Sequence, residues 1–270
     1  MPAHYVKAYV KRSKNDAADA EAICEAVQRP TMRFVSLKSK EQQSLLMLHR
    51  TRELLVRQRT MLVNAIRGHM AEFGIVTRVG LPQIKELLAV IADREDHRLP
   101  PGARACLESL GRQFLSLHEE ICAADKRLHA WHRSNPMSQR LATIPGVGPV
   151  TASALAASIT DPLVFKSGRE MAAWIGLVPR QNSTGGKQRL GKISKQGDQY
   201  LRWLLVAGAM AVIRHTKRRG ATSQPWLDDL ITRRPTKVAA VALANKMARM
   251  AWALLSHGGA YRQPVIAASL

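Results

Sequence analysis

The chain has 270 residues with 41 Lys or Arg against 20 Asp or Glu, a formal net charge of +21 and a pI near 10.8. That excess points to DNA, RNA or an anionic membrane as partner, while an aromatic content of 5% argues against a single-strand binder built on aromatic base-stacking platforms. Cys24, Cys106 and Cys122 are odd in number and lack CxxC spacing, so they read as reduced, buried thiols rather than a disulfide framework or zinc site.

Residues 1–15 contain no acid and read as an extended basic start. Asp16 to Ile23 reads as a short helix stopped by Pro30, with Asp16 and Asp19 on one face. Residues 40–73 form a long helical pattern in which Leu48, Leu55 and Leu62 recur every seven positions. Leu45 and Ile66 stand in the adjoining column with Arg52 and Arg59, which makes that seam imperfect. A break from Gly74 to Pro82, a short helix near Ile84–Ile91 and the Pro100-Pro101-Gly102 punctuation follow.

The second long helix is cleaner. Leu107, Leu110, Phe114, Leu117, Ile121, Ala124, Leu128 and Trp131 advance in steps of three and four, a sustained heptad seam. Two long helices with a broken connector predict an antiparallel, coiled-coil-like hairpin. Its seam is filled either by the same chain or by a second protomer. Beyond Asn135-Pro136 the pattern is mostly helical: after Pro149, over 167–177, over 198–215 and over 236–256. The Gly-rich stretch Gln181–Gly191 reads as a loop or short hairpin. The longest apolar run, Trp203–Ile213, is too short to span a bilayer, and the start has no apolar signal segment. A cytoplasmic protein without membrane contact is expected.

Two phosphate-handling motifs lie in this second half. Ile144-Pro145-Gly146-Val147-Gly148-Pro149-Val150-Thr151 has the form of a helix-hairpin-helix turn, whose amides near Gly146 and Gly148 would meet a phosphate without reading sequence. The same residues also suit a plain turn between packed helices. From Arg180 to Arg219 there are ten Lys or Arg residues and one acid, Asp198, so the charge is clustered rather than mixed. Arg180, Lys187, Arg189, Lys192, Lys195 and Arg202 are the candidate phosphate contacts. Ser194, between Lys192 and Lys195, is a candidate nucleophile, although a helix N-cap or turn serine has the same local appearance. Asp16 and Asp19 could share a divalent metal or simply be the acids favoured in a first helical turn. There is no Walker A, HExxH or GxSxG motif.

Three elements occur in one order: Lys14-Asn15-Asp16-Ala17-Ala18-Asp19-Ala20, the helical middle, then the hairpin through Gly176-Leu177-Val178-Pro179-Arg180 and Ile193-Ser194-Lys195-Gln196-Gly197. In this the chain resembles the DEDD transposases of insertion sequences, the IS110 group, related to Piv-type DNA invertases. The resemblance implies a mainly α chain. A remnant of a RuvC-like α/β nuclease domain would occupy 1–34, a helical coiled-coil region 35–135, and a transposase domain with a helix-hairpin-helix motif 136–270. It implies DNA strand cleavage and rejoining through a serine–DNA intermediate, with Ser194 as nucleophile and Ser183 as the alternative. It implies Mg2+ held by four acids, of which Asp16 and Asp19 would be the third and fourth. A structured guide RNA and a homo-oligomer are implied as partners. The first Asp and the Glu would lie upstream of Asp16, where this sequence has no acid, so the expectation is an N-terminally truncated chain with weak or absent metal binding. The competing expectation is a non-catalytic DNA- or RNA-binding helical module.

Overall fold

The computed structural model describes residues 1–262 other than 2, 12–14, 31, 33, 35 and 220–224. Lys14 of the acid-bearing motif therefore lies outside the described residues. The described chain is mainly helical, with one two-stranded antiparallel sheet. The start is helical rather than extended: α1 (Ala3–Val6) runs into a 3-10 turn at Lys7–Tyr9. Helix α2 (Asp16–Val27) follows, capped by Asn15, whose side chain accepts from the Ala18 amide at 2.7 Å.

Helix α3 (Lys40–Ala71) begins with a capping box, Ser39 and Gln42 exchanging hydrogen bonds between side chain and backbone. Helix α5 (Pro101–Ser134) returns alongside it. The pairing is antiparallel, because Arg52 meets Asp125 while Arg59 Nη1 meets His118 Nδ1 at 3.4 Å. These two arginines interrupt the apolar column of α3, and each has a polar partner across the seam. The heptad residues Leu107, Phe114, Ile121, Ala124 and Leu128 are all buried within the one chain. On α3 the buried column is Leu45, His49, Val63, Ile66 and Met70, and Leu48, Leu55 and Leu62 are only half-buried beside it.

Helix α4 (Ile84–Ala92) closes the far end, packing Ile84, Leu87 and Ile91 with Ile66, Met70, Leu107 and Phe114. Its last carbonyls are capped by a buried guanidinium: Arg104 donates to Val90 O, Ile91 O and Asp96 O at 3.0, 2.7 and 2.6 Å. The three cysteines are exposed, which corrects the expectation of buried thiols. Cys106 and Cys122 each sit one residue off the seam positions Leu107 and Ile121, a rotation that turns them to solvent.

The base of the hairpin packs on a helical body. Helix α6 (Pro136–Leu141) leads through the turn at Gly146 into α7 (Pro149–Ser158), then α8 (Gly168–Ile175). Strands β1 (Pro179–Gln181) and β2 (Leu190–Ile193) form the expected hairpin, and α9 (Gln199–Arg219), α10 (Pro225–Arg233) and α11 (Thr236–His257) complete the body. One large core joins them, centred on Leu155, Ile175, Leu205, Ile213, Leu243 and Met247. Among the described residues α11 is long and apolar enough to cross a membrane, but its Ala239, Leu243, Met247 and Ala251 face is buried in this core against α8 and α9.

Candidate nucleic-acid interface

The β1–β2 hairpin projects from the body. Residues 179–192 are all exposed, and the tip is closed by a bridge between Thr184 and Lys187. No acid lies between Glu170 and Asp198, so Arg180, Lys187, Arg189 and Lys192 stand on an extension with no carboxylate to neutralise them locally. Ser183 belongs to this extension, its Oγ accepting from the Arg189 amide at 3.2 Å.

Ser194 lies just beyond β2, in a loop fastened to the carboxyl end of α8. Its amide donates to Val178 O at 2.8 Å, and the Lys195 amide donates to Gly176 O at 3.2 Å. Arg202 of α9 completes the clamp, with Nη1 donating to Ile175 O at 2.7 Å and to Gln196 O at 2.8 Å. Gly197 has φ of +70°, and a Cβ there would sit 1.8 Å from Trp174 O, so only glycine permits this approach. Lys195 is the single non-glycine residue with positive φ, +56°, among the described residues. That conformation disfavours a bulky side chain and persists because the clamp on both sides over-determines it.

The loop divides its side chains between two faces. Ser194 lines a shallow recess of about 840 Å3 with Arg180, Asn182 and Gln196. Arg180 stands over it, Nη2 donating to Ser194 O at 3.1 Å, and the Gln196 amide reaches Ser194 Oγ at 3.4 Å. Ser194 is thus a turn residue; Asp198 caps α9 instead, accepting from the Leu201 amide at 3.0 Å. Lys192 and Lys195 line a different and larger groove on the opposite side of β2. The cation beside the serine is Arg180 rather than its sequence neighbours, because the antiparallel pairing of Pro179 with Ile193 brings Arg180 over Ser194.

The Gly146 turn is used differently from its sequence appearance. Gly146 has φ of +87°, and a Cβ on it would lie 2.9 Å from Gly208 O of α9 and 2.8 Å from a Val212 methyl. This glycine therefore serves close packing of the turn on α9. The Val147 amide is consumed by Ile144 O at 2.9 Å, and the side chains of Val147 and Thr151 are buried. Gly148 alone of the four is exposed and faces open space at the start of α7.

Asp16 and Asp19 are exposed in the first turn of α2. No group of three or more His, Cys, Asp or Glu side chains gathers around them, or elsewhere among the described residues. Two solvated carboxylates do not suffice for a two-metal phosphoryl-transfer centre, so these residues by themselves do not fit the Mg2+ site that the resemblance implies.

The sequence reading missed a buried polar relay that joins hairpin and body. His49 of α3 is fully buried, with Nε2 3.1 Å from Ser153 Oγ of α7 and Nδ1 3.1 Å from Tyr200 Oη of α9. Ser153 Oγ also donates to Pro149 O at 2.8 Å, so its oxygen is left to accept from His49 Nε2–H while Nδ1 accepts from Tyr200. Burial, then the charge of nearby Arg52, lowers the His49 pKa from 6.5 to about 4. Burial chiefly raises that of Tyr200 to about 12. Ser153 and Tyr200 lie 104 and 151 residues from His49, and no local pattern marks any of the three.

Comparison with known proteins identifies the family of the chain. Residues 138–224 match the model described as the Transposase IS116/IS110/IS902 family, and residues 1–75 match a second transposase model, that of the DEDD type. The chain is 49% identical to a probable family 20 transposase of Pseudomonas aeruginosa, over 96% of this chain and 77% of the relative. It is 50% identical to a putative transposase of Sinorhizobium fredii, over 95% of this chain but 66% of the relative. It is 41% identical to the transposase of insertion sequence element IS1328 of Yersinia enterocolitica, over 94% of this chain and 75% of the relative. The chain belongs to the IS116/IS110/IS902 family of insertion-sequence transposases. It spans 66% to 77% of the length of these relatives.

Proposed function

We propose that this chain engages DNA through the β1–β2 hairpin and the open start of α7 at Gly148, and that Ser194 is the nucleophile for strand cleavage and rejoining. What carries the reading is the Ser194–Gly197 loop. A hydroxyl is held in a strained, doubly clamped turn, open to a recess, with Arg180 beside it and Lys187, Arg189, Lys192 and Lys195 on the same projection. Such rigidity is what in-line attack requires, since positioning supplies much of the rate. Ser194 Oγ forms a bond to phosphorus as the phosphorus–oxygen bond to the leaving sugar breaks. The leaving oxygen gains the proton that the serine gives up through solvent, and Arg180 offsets charge on the phosphoryl oxygens. Because one phosphodiester replaces another, a strand hydroxyl can reverse the exchange without ATP.

Residues 1–34, 35–135 and 136–270 are, in this reading, the nuclease remnant, the coiled-coil region and the transposase domain, with 144–152 as the helix-hairpin-helix turn. A structured guide RNA and a second copy of the chain are its further partners, and the cytoplasm its place. No step is assigned to Asp16, Asp19 or a metal.

The test has two arms. Binding to duplex DNA, followed by anisotropy, should weaken steeply with salt as phosphate contacts release counterions; a flat salt dependence refutes the interface. The chain should form no denaturant-resistant protein–DNA adduct. A version extended by a segment carrying the family's first Asp and Glu should form one, and Ser194→Ala should abolish it while leaving binding nearly unchanged. Loss of the adduct with Ser183→Ala and not with Ser194→Ala transfers the role to Ser183. Free ends without any adduct exclude the serine mechanism.

A further inference from the structure

On the far side of β2 from Ser194 lies an open groove of about 1840 Å3, walled by β2 and the start of α8 and floored by α11, with Trp226 of α10 at its edge. We infer that this groove binds an unpaired nucleic-acid strand, bases against its apolar floor and phosphates along its cationic rim. The inference goes beyond the assignment of Ser194 and does not depend on it.

Two observations carry it together. Arg169, Lys192, Lys195, Lys237, Lys246 and Arg249 line the groove, and no Asp or Glu is among its lining residues. Between these cations the floor is apolar, from Leu177, Val238, Val241, Ala242 and Met250. A duplex hides the faces of its bases and asks only for cations, whereas an unpaired strand offers phosphates and π faces at once. The volume also decides against a small molecule, whose pockets run to about 300–1,000 Å3 and are closed around the ligand.

Trp226 is the stacking surface. It is 40% exposed, and Lys246 Nζ lies 4.5 Å from its ring centroid, a cation–π contact that holds the indole in place at the groove edge. The floor is rigid as well: Asn245 Nδ2 donates to Leu177 O at 3.2 Å, and Trp252 Nε1 donates to Pro162 O at 3.1 Å. Both tie α11 to the segments around α8. The hairpin then carries two nucleic-acid contacts, phosphodiester at the Ser194 recess and unpaired strand in the groove.

The experiment uses the whole chain, a fluorescent oligo-thymidine strand and a mixed-sequence duplex, both read by anisotropy at the same salt. Trp226→Ala should weaken oligo-thymidine binding about tenfold, as loss of a stacked base does, and Trp226→Phe should restore most of it. Duplex affinity should stay within about twofold in both variants. The double variant Lys237→Glu, Arg249→Glu, at two exposed positions, should weaken oligo-thymidine more than duplex. Unchanged oligo-thymidine binding, or equal losses for strand and duplex, overturns the inference. So does displacement of the strand by poly-glutamate as readily as by unlabelled oligo-thymidine, because the groove then reads charge alone. Strand binding by a protein that fails to bind duplex upholds the groove and refutes the hairpin interface.

Discussion

Acid should loosen the joint between the helical hairpin and the body through His49. Its pKa is 6.5 when solvated and about 4 in the fold, lowered by burial and then by Arg52. The unfolded chain therefore binds a proton that the folded chain refuses between these values. The contribution is fully present above pH 6.5, falls as pH drops, and is lost by about pH 4. A shift of this size corresponds to about 3 kcal/mol, a large part of a typical folding free energy. A proton added at Nδ1 would also face the Tyr200 hydroxyl, which donates there and remains protonated with its pKa near 12. His49→Gln keeps a donor and an acceptor but cannot titrate. Urea unfolding followed by circular dichroism, at constant ionic strength and stepwise pH, gives the stability of both proteins. The wild-type curve should lose about 3 kcal/mol more than the variant between pH 6.5 and 4. The general acid effect of a chain of charge +21 is common to both and cancels. Parallel curves would refute the reasoning, whatever the fixed offset between them.

Gly197→Ala should displace the serine loop, since the new methyl would meet Trp174 O in a left-handed backbone; we expect a loss of about 1–3 kcal/mol in thermal unfolding and no serine adduct in the extended protein. Ile121→Asp should cost more than about 3 kcal/mol, because Ile121 is 3% exposed and an unpaired carboxylate would enter the seam; unchanged urea stability would show that the seam is not closed within the chain. Arg104→Met should release the carboxyl end of α4, seen as faster amide exchange over 84–92 with little change in DNA binding. Equal exchange there would mean that the buried guanidinium is not what holds α4.

Much of the helical framework was legible because its causes are local. The three-and-four spacing of Leu107 to Leu128 is a property of one helix, and α5 buries that face. Ser167 and Asn135 mark helix starts by bonding amides three residues on. The basic, acid-free run from Arg180 and the Gly-rich stretch Gln181–Gly191 within it were also visible, and the hairpin follows from them. The helices Ala3–Val6 and Pro225–Arg233 were not foreseen, the first being too short to show a period.

Tertiary packing alone decided the rest. Gly146 reads as a phosphate-gripping glycine, yet its missing Cβ is needed by α9 at Gly208. Ser194 reads as flanked by two lysines, yet the pairing of β1 with β2 sets Arg180 beside it, while Lys192 and Lys195 line the other groove. Lys246 and Arg249 read as ordinary cations on an apolar helix, and only the docking of α10 and β2 makes them a rim. A basic stripe three apart on α11 was the one available hint. His49 had none, because its value rests on partners over a hundred residues away in the chain. Periodicity, caps and charge runs act between near neighbours and are written in the sequence. Which face of a turn is buried, and which distant side chains share a cavity, depends on how the helices dock, and only the folded chain specifies that.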